Sequence, residues 1–252
     1  MKILCLHGAY GSAHNFKAQL SPFANRMESL GLATFRYAEG AHLVDAPEGH
    51  ENYFGAPPLY RFLSLREMRS LRPETITEIQ KGLNPEDTMR NTLSAGAAFP
   101  AVSYQDALES VFEVLDREGD IDAVLGYSEG AMIAAGVVLE EGRRLRESGR
   151  ERRIRFAVFI SGSVAPVKDQ TGEFQLPLVG EWDSVIDIPT CHVVGSNDTL
   201  IHSASALYNI CDRESAELFD HGRGHIVPRD AQDVEDWVRS VEMSGRKAGL
   251  VA

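Results

Sequence analysis

The stretch "AVLGYSEGAMIAAG", residues 123–136, decides the fold, because a serine between two glycines joins two apolar runs. The first run, "DAVLGY" (122–127), is typical of a strand buried on both faces. The second run, 131–139, is apolar nearly all round and predicts a helix packed deep against a sheet. The turn between them, "GYSEG" (126–130), fits the G-x-S-x-G pattern, in which a nucleophilic serine sits on a sharp strand-to-helix turn.

Further apolar runs on either side of this stretch alternate with helical patterns, which indicates parallel strands joined by helical crossovers. We therefore predict an α/β fold with a mostly parallel sheet of about six strands and helices on both faces. The other predicted strands are "KILCLH" (2–7), "ATFRYA" (33–38), "RFAVFIS" (155–161), "TCHVVG" (190–195) and "AELFD" (216–220).

Two segments interrupt the alternation within what we interpret as a single domain, residues 1–252. Residues 40–103 are too long for a plain connection and are predicted to form a lid-like insertion that shapes the substrate site. Within it, "ENYFGAPPLYRFLSLREM" (51–68) and "PETITEIQKGL" (73–83) are predicted to be short helices. Residues 164–189 form a second, smaller insertion.

The composition narrows the function classes. Among 252 residues, 25 Lys and Arg against 37 Asp and Glu give a net charge of −12, which argues against a nucleic-acid partner. No apolar stretch is long enough to cross a bilayer, and the first apolar run is too short for a signal peptide, so no membrane association is expected. Cys5, Cys191 and Cys211 suit neither a disulfide framework nor a zinc site, which predicts a reducing compartment, the cytoplasm.

A serine hydroxyl becomes a good nucleophile only when an oriented base takes its proton. In the α/β-hydrolase arrangement the acid and then the base follow the serine along the chain, each in a loop beyond a strand. Asp198 follows the strand "TCHVVG", and His225 lies in a glycine-flanked turn after "AELFD". Order and placement together predict that Ser128, Asp198 and His225 form a catalytic triad.

Each of these residues also has a structural interpretation. Asp198 could only cap a helix that starts near Thr199, and His225 could be a surface histidine. Other acids lie in the same part of the chain but are less well placed. They are Asp183, Asp187 and Asp220.

The reaction also needs donors for the oxyanion. One is predicted to be the backbone N–H of Glu129, at the positive end of a helix, and the other that of Ala9 or Tyr10 in the loop "LHGAYGSA" (6–13). His7 precedes the serine and is predicted to orient this loop rather than to act as the base. The Glu129 side chain is predicted to complement the helix dipole and to make surface hydrogen bonds.

Four motifs together resemble the fungal-type FSH serine hydrolases, a branch of the α/β-hydrolase fold. They are "LCLHGAYGSAHNFKAQLSPF" (4–23), "GYSEGAMIAA" (126–135), "GSNDTLI" (195–201) and "GHIVP" (224–228). The resemblance extends over essentially the whole chain. It implies Ser128 as nucleophile, an acyl ester or thioester substrate, and neither a cofactor nor a metal.

This family includes the discrete thioesterases of fungal polyketide gene clusters, such as the lovastatin-pathway thioesterase. The resemblance thus implies release of a polyketide acyl chain from the acyl carrier domain of a synthase. A small-molecule carboxylesterase and a non-catalytic binding protein on the same scaffold stay open as alternatives. The chain departs from the family pattern in "YAEGAHLVDAPEG" (37–49) and "LYRFL" (59–63), which puts the choice of substrate in doubt.

Apolar side chains in the two insertions are candidates for an acyl pocket, although packing of the lid onto the body would explain them equally well. They are Tyr53, Phe54, Leu59, Tyr60, Phe62 and Trp182. A carrier domain could dock on cations at the rim of the first insertion, namely Arg61, Arg66 and Arg69. The arginine-rich run 142–156 is a poorer candidate, because its far end lies about 30 Å along a helix that leaves the site.

Overall fold

The structure, a computed structural model, describes residues 1–50, 54–66, 82–94, 100–180 and 186–251. In chain order the strands of the described ranges are β1 (Lys2–Leu6), β2 (Thr34–Ala38), β3 (His42–Val44), β4 (Leu59–Arg61), β5 (Ala123–Tyr127), β6 (Phe156–Ile160), β7 (Val167–Lys168), β8 (Phe174–Gln175), β9 (Thr190–Val194) and β10 (Ala216–Asp220). Six of them are parallel and form the central sheet, in the order β2-β1-β5-β6-β9-β10. The six predicted strands are confirmed to within a residue or two at either end.

Helices cover both faces of the sheet, as predicted. The helices in the described ranges are α1 (Ala13–Ser29), α2 (Pro85–Ser94), α3 (Ala101–Glu118), α4 (Glu129–Ser148), α5 (Ile201–Asn209) and α6 (Ala231–Lys247). On one face α1 and α6 meet through stacked rings of Phe23 and Trp237, whose centroids are 3.7 Å apart. On the other face α3, α4 and α5 pack together. The predicted deep helix is confirmed, because almost every residue from 130 to 139 is buried.

The inner strands are buried on both sides, which explains their continuous apolar runs. Every side chain of β6 and β9 is buried, and so are residues 123–126 of β5. The carboxyl ends of these strands lie at one edge of the sheet. Loops that follow them are therefore brought close together.

The described part of the first insertion differs from the prediction. Leu59–Arg61 is a strand that pairs antiparallel with β3, so the helix predicted over 51–68 is wrong there. "GAPP" (55–58) explains the error, because prolines lack the N–H groups that a helix needs. Most of the helix predicted over 73–83 lies outside the described residues, and α2 was not predicted. In the second insertion β7 and β8 form a small hairpin. No helix in the described ranges is long and apolar enough to cross a membrane.

His192 in β9 gives the fold a measurable dependence on pH. Its ring is packed between Phe159 and Tyr208, and burial lowers the pKa of His192 to about 3. In the unfolded chain a histidine has a pKa of about 6.5, so it becomes protonated at a pH at which the buried His192 stays neutral. The free energy of unfolding therefore falls as the pH drops below about 6.5. At pH 5 this histidine costs about 2 kcal/mol.

We therefore expect His192→Gln, which removes the titrating group, to flatten this dependence. Between pH 7 and pH 5 the free energy of unfolding of the wild type should fall by about 2 kcal/mol more than that of the variant. Urea titrations at the two pH values measure the difference. Equal losses for the two proteins would contradict the prediction.

Candidate active site

Ser128 occupies a strained turn between β5 and α4. Its backbone angles are φ 54° and ψ −116°, a conformation that residues other than glycine rarely adopt. The Ser128 N–H donates to the Ile160 carbonyl of β6 at 2.9 Å, and its carbonyl accepts from the N–H of Ala131 at 3.0 Å. The neighbouring strand and the first turn of the helix thus hold the serine backbone in place.

The two glycines of the motif are required by close backbone contacts. A Cβ at Gly126 would lie 2.3 Å from the Gly130 carbonyl oxygen, and a Cβ at Gly130 would lie 2.3 Å from that of Leu6. Gly8, in the loop after β1, comes close enough that a Cβ there would be 3.4 Å from the Ser128 Cβ. These contacts bring the loop after β1 directly beside the serine.

The structure brings Ser128, His225 and Asp198 together in a continuous chain of hydrogen bonds. His225 Nε2 lies 2.9 Å from Ser128 Oγ, and His225 Nδ1 lies 2.7 Å from Asp198 Oδ2. A carboxylate can only accept, so Nδ1 carries the proton and Nε2 is left to accept the serine proton. The Asp198 side chain is 1% exposed and the His225 side chain 27%, so solvent reaches the imidazole but not the carboxylate.

Asp198 is hydrogen-bonded both to the turn before α5 and to His225, but it does not cap the helix, whose N-cap residue is Leu200. Its Oδ1 accepts from the Leu200 N–H at 2.8 Å, just before α5 begins, while its Oδ2 orients His225. Burial raises the pKa of the Asp198 carboxyl, but the hydrogen bond and charge of His225, with the Leu200 N–H, lower it by more, so the net pKa is below the usual value. The carboxyl is therefore ionised at neutral pH.

The rival acids are engaged elsewhere or lie outside the described residues. Asp187 pairs with Arg152 at 2.6 Å. Asp220 accepts from the backbone N–H groups of Ser196 and Gly222 and so stabilises the turns around the site. Asp183 lies outside the described residues.

The loops that carry Asp198 and His225 are hydrogen-bonded to each other. The Asn197 N–H donates to the Arg223 carbonyl at 3.1 Å, and its side-chain amide donates to the Gly222 carbonyl at 2.6 Å. Tyr127 donates its hydroxyl to the carbonyl of His225 at 2.9 Å. Tyr127 and Asn197 were not predicted to take part in the site, although each adjoins a predicted triad residue and carries a polar group suited to such a bond.

His7 contacts the loop that was predicted to hold the second oxyanion donor. Its Nε2 accepts from the Gly40 N–H at 3.0 Å, and its Nδ1 lies 2.7 Å from the Gly8 carbonyl. Burial lowers the pKa of His7 against the opposing effects of the Gly8 carbonyl and of Glu39 and Glu129, so the ring is neutral. A neutral ring with Nδ1 protonated satisfies both contacts.

The N–H groups of Ala9 and Tyr10 lie in this loop. Neither has an acceptor among the described residues, and the Gly8–Gly11 turn that contains them is closed by a 3.1 Å hydrogen bond. Tyr10 adopts a positive φ of 57°. Both groups stay candidates for the second donor.

The prediction that the Glu129 side chain makes surface hydrogen bonds is wrong. This carboxylate is 5% exposed and forms an ion pair with Arg61, whose side chain is 8% exposed. The Arg61 Nε donates to Glu129 Oε2 at 2.9 Å, and Nη2 donates to the same oxygen. Arg61 was predicted to be a docking cation at the surface, and its burial shows that this prediction is wrong. Of the other two predicted docking cations, Arg66 is exposed and Arg69 lies outside the described residues.

The predicted pocket residues fall into three groups. Leu59 and Phe62 are 3% and 2% exposed, and the Phe62 ring lies 4.8 Å from that of His7, which supports the packing interpretation for these two. Phe54 and Tyr60 are half-buried near the loop after β1 and stay predictions. The two remaining residues, Tyr53 and Trp182, lie outside the described residues.

A cavity among the described residues lies away from this site. It has a volume of about 1080 Å³ and is bounded by α3, the second half of α4 and the β7–β8 hairpin, without any residue of the Ser128–His225–Asp198 chain. The acyl site is therefore not identified with this cavity.

Gly195 offers a test of whether the loop that carries Asp198 positions His225. A Cβ there would lie 2.0 Å from the Arg223 carbonyl oxygen, whereas a Cβ at Gly224 would have no neighbour nearer than 4.0 Å. Because Gly195→Ala must push residues 222–225 away, we expect fluorophosphonate labelling of Ser128 to slow by about 100-fold or more. Gly224→Ala is the matched control and should label at a rate close to that of the wild type. Similar rates for the two variants would show that the contact does not position His225.

Comparisons with known proteins agree with this geometry. A family model described as "Serine hydrolase (FSH1)" matches residues 1–237. Hydrolase phiM of Talaromyces stipitatus is 29% identical over 248 residues, which cover 96% of this chain and 86% of that protein. Esterase FPY3 of Fusarium mangiferae is 25% identical over 252 residues, 98% of this chain and 98% of that protein.

A solved structure of similar architecture is that of Arabidopsis thaliana SOBER1, with a TM-score of 0.56 at 15% identity, covering 95% of this chain and 97% of that one. The likeness shows the α/β-hydrolase fold. Since the family model spans nearly all of the sequence, the chain belongs to the FSH1 serine hydrolase family and is an ester-cleaving enzyme.

Proposed function

We propose that Ser128 is the nucleophile of an acyl-transfer reaction to water, with His225 as the base and Asp198 as the acid that orients it. The observation that carries the proposal is the chain of hydrogen bonds, 2.9 Å from Ser128 Oγ to His225 Nε2 and 2.7 Å from His225 Nδ1 to Asp198 Oδ2. The burial of Asp198 and its lowered pKa support its role, because an ionised carboxylate in a dry site stabilises the imidazolium that forms.

In the first half of the reaction Ser128 Oγ attacks the acyl carbonyl carbon and its proton passes to His225 Nε2. The resulting tetrahedral intermediate collapses when Nε2 returns the proton to the leaving alcohol or thiol, and an acyl-enzyme remains. In the second half Nε2 takes a proton from water, which attacks the acyl carbonyl. The acid is released, and the proton returns to Ser128.

The negative oxygen of each tetrahedral intermediate is assigned to the N–H of Glu129 and to that of Ala9 or Tyr10. The strained turn at Ser128 directs the start of α4 toward the reacting carbonyl, where the partial positive charge of the helix N-terminus is favourable. Each donor of this kind contributes about 3–4 kcal/mol to the barrier reduction in enzymes where one has been removed.

We expect Ser128→Ala to abolish hydrolysis of an aryl ester and labelling by a fluorophosphonate, while thermal unfolding stays close to that of the wild type. Asp198→Asn should lower kcat by about 10⁴-fold, because the imidazole loses its orienting charge and its tautomer. Asp187→Asn, which removes an acid already paired with Arg152, is the matched control and should keep nearly full kcat. Hydrolysis by Ser128→Ala at the wild-type rate would refute the assignment.

For the substrate, we propose a thioester whose polyketide acyl chain is delivered on the acyl carrier domain of a synthase. Support comes from the motifs shared with the fungal-type FSH hydrolases and from similarity to hydrolases and esterases of fungi. The three free and buried cysteines support a cytoplasmic location for this reaction, because thiols stay reduced there.

A small-molecule carboxylesterase is the second candidate, and one observation favours it. Arg61, which was expected to attract an acidic carrier domain, forms a buried ion pair with Glu129 and is not exposed for docking. Of the two candidate docking cations within the described residues, Arg66 is exposed and Arg61 is not.

A comparison of one acyl group on three carriers separates the two functions. A carrier-releasing thioesterase should have a kcat/KM for the carrier-protein thioester at least about tenfold above that for the pantetheine thioester, since only the former adds protein contacts. Arg66→Glu should reduce this advantage and leave the pantetheine rate unchanged. The carboxylesterase would be favoured if kcat/KM were highest for the aryl ester and equal for the carrier-protein and pantetheine thioesters.

A further inference from the structure

Residues 60–63, which we call the clamp segment, contact both sides of the proposed oxyanion hole. On one side the Tyr60 N–H donates to the Gly11 carbonyl at 2.6 Å, in the loop that carries Ala9 and Tyr10. On the other side the N–H groups of Phe62 and Leu63 donate to Glu129 Oε1 at 2.7 and 3.4 Å. Four consecutive residues of the insertion thus bridge the two places from which the oxyanion donors come.

Side chains of the clamp segment reinforce this bridge. The Arg61 guanidinium pairs with the Glu129 carboxylate and lies 5.2 Å from the centre of the Tyr10 ring. The Phe62 ring packs against His7, which in turn holds the Gly8 carbonyl. Each side of the proposed hole is therefore held by a backbone contact and by a side-chain contact.

From these contacts we infer that Glu129 and Arg61 are positioning residues, through which the clamp segment fixes the separation of the two oxyanion donors. This inference rests on the proposed function, in which the N–H of Glu129 is one of those donors. The insertion then completes the catalytic machinery in addition to bordering the substrate site.

The charges of the pair make the inference more specific. Glu129 places a carboxylate on the very residue whose N–H must stabilise a developing negative charge. An unpaired carboxylate there would oppose that charge, because two like charges repel strongly in a site from which water is excluded. Arg61 neutralises the carboxylate, so its removal should harm the reaction more than removal of both partners.

The same helix supplies a matched control. Glu141 is also buried in α4, accepts from the N–H groups of Arg153 and Ile154 at 3.2 and 2.9 Å, and pairs with the Arg153 side chain at 3.6 Å. Like Glu129 it accepts from two backbone N–H groups and pairs with an arginine, although over a longer distance and with a more exposed partner. It lies 12 residues further along, about 18 Å away along the helix axis. A purely structural effect of losing a buried carboxylate should be alike at the two positions.

The test compares Glu129→Gln with Glu141→Gln on an aryl ester, in the full chain. Both variants should unfold at lower temperature, because each loses a buried charge pair. Only Glu129→Gln should lose kcat, by about tenfold or more with KM changed less than about twofold, since the lost interaction acts in the transition state. Affinity for a trifluoromethyl ketone, which forms an oxyanion adduct with the serine, should fall in parallel with kcat.

A double-mutant cycle tests the charge argument. Arg61→Gln should lower kcat more than Glu129→Gln does, and the variant with both substitutions should recover at least about threefold of the loss caused by Arg61→Gln. If Arg61→Gln does not fold, the comparison of Glu129→Gln with Glu141→Gln decides alone.

The outcomes that overturn the inference differ from those that overturn the proposed function. Equal kcat values for Glu129→Gln and Glu141→Gln, with Ser128→Ala inactive, would remove the positioning role and leave the serine mechanism standing. Failure of the double variant to improve on Arg61→Gln would also overturn the role of the pair. Wild-type hydrolysis by Ser128→Ala would instead overturn the proposed function.

Discussion

The site depends on one close contact, that between the first turn of α4 and the end of β1. Gly130 lies against the carbonyls of Leu6 and His7, where no side chain could fit. This contact lets the helix begin immediately after Ser128, whose φ is positive. It also places the helix N-terminus beside the loop after β1. The backbone strain at Ser128 is therefore the local consequence of joining a buried strand to a buried helix in the smallest possible turn.

The charged groups around this contact show how a dry site keeps ions stable. Asp198 and Glu129 are both buried carboxylates. Asp198 accepts from one backbone N–H and is paired with His225, whereas Glu129 accepts from two backbone N–H groups and is paired with Arg61. Burial alone would protonate or exclude such groups, and removal of one partner from a buried pair typically costs 3–5 kcal/mol. The surrounding loops are thus held in place by the same interactions that set the charges. This explains why the loops after β9 and β10, remote in sequence, form one unit with the serine turn.

Features of the fold and of the site that depend on a short local pattern of residues could be predicted from the sequence. The six strands could be predicted because strands covered on both faces carry continuous apolar runs, and Asp198 and His225 could be placed because carboxyl ends of parallel strands share an edge. The strand at Leu59–Arg61 was missed because its pairing with β3 depends on a distant partner, and its apolar residues at short spacing resemble a helical stripe. The burial of Arg61 was missed for a related reason. Its partner Glu129 is 68 residues away, and nothing in either local segment indicates that two charges will meet in the interior.

The contacts of the insertion also bear on how substrate choice and chemistry can be separated within one segment. Leu59 and Phe62 are buried, and the Phe62 ring is packed on His7, so a change of size at position 62 disturbs the loop after β1, where we propose an oxyanion donor. Phe54 and Tyr60 are half-buried and lie beside the same loop, with the Phe54 ring 5.0 Å from that of Tyr10. On the proposed function, these partly exposed rings can vary with the acyl chain while the clamp segment keeps its backbone contacts. Departures from the family pattern in this region are then compatible with an unchanged reaction, because the groups that hold the oxyanion donors are backbone N–H groups and one buried ion pair.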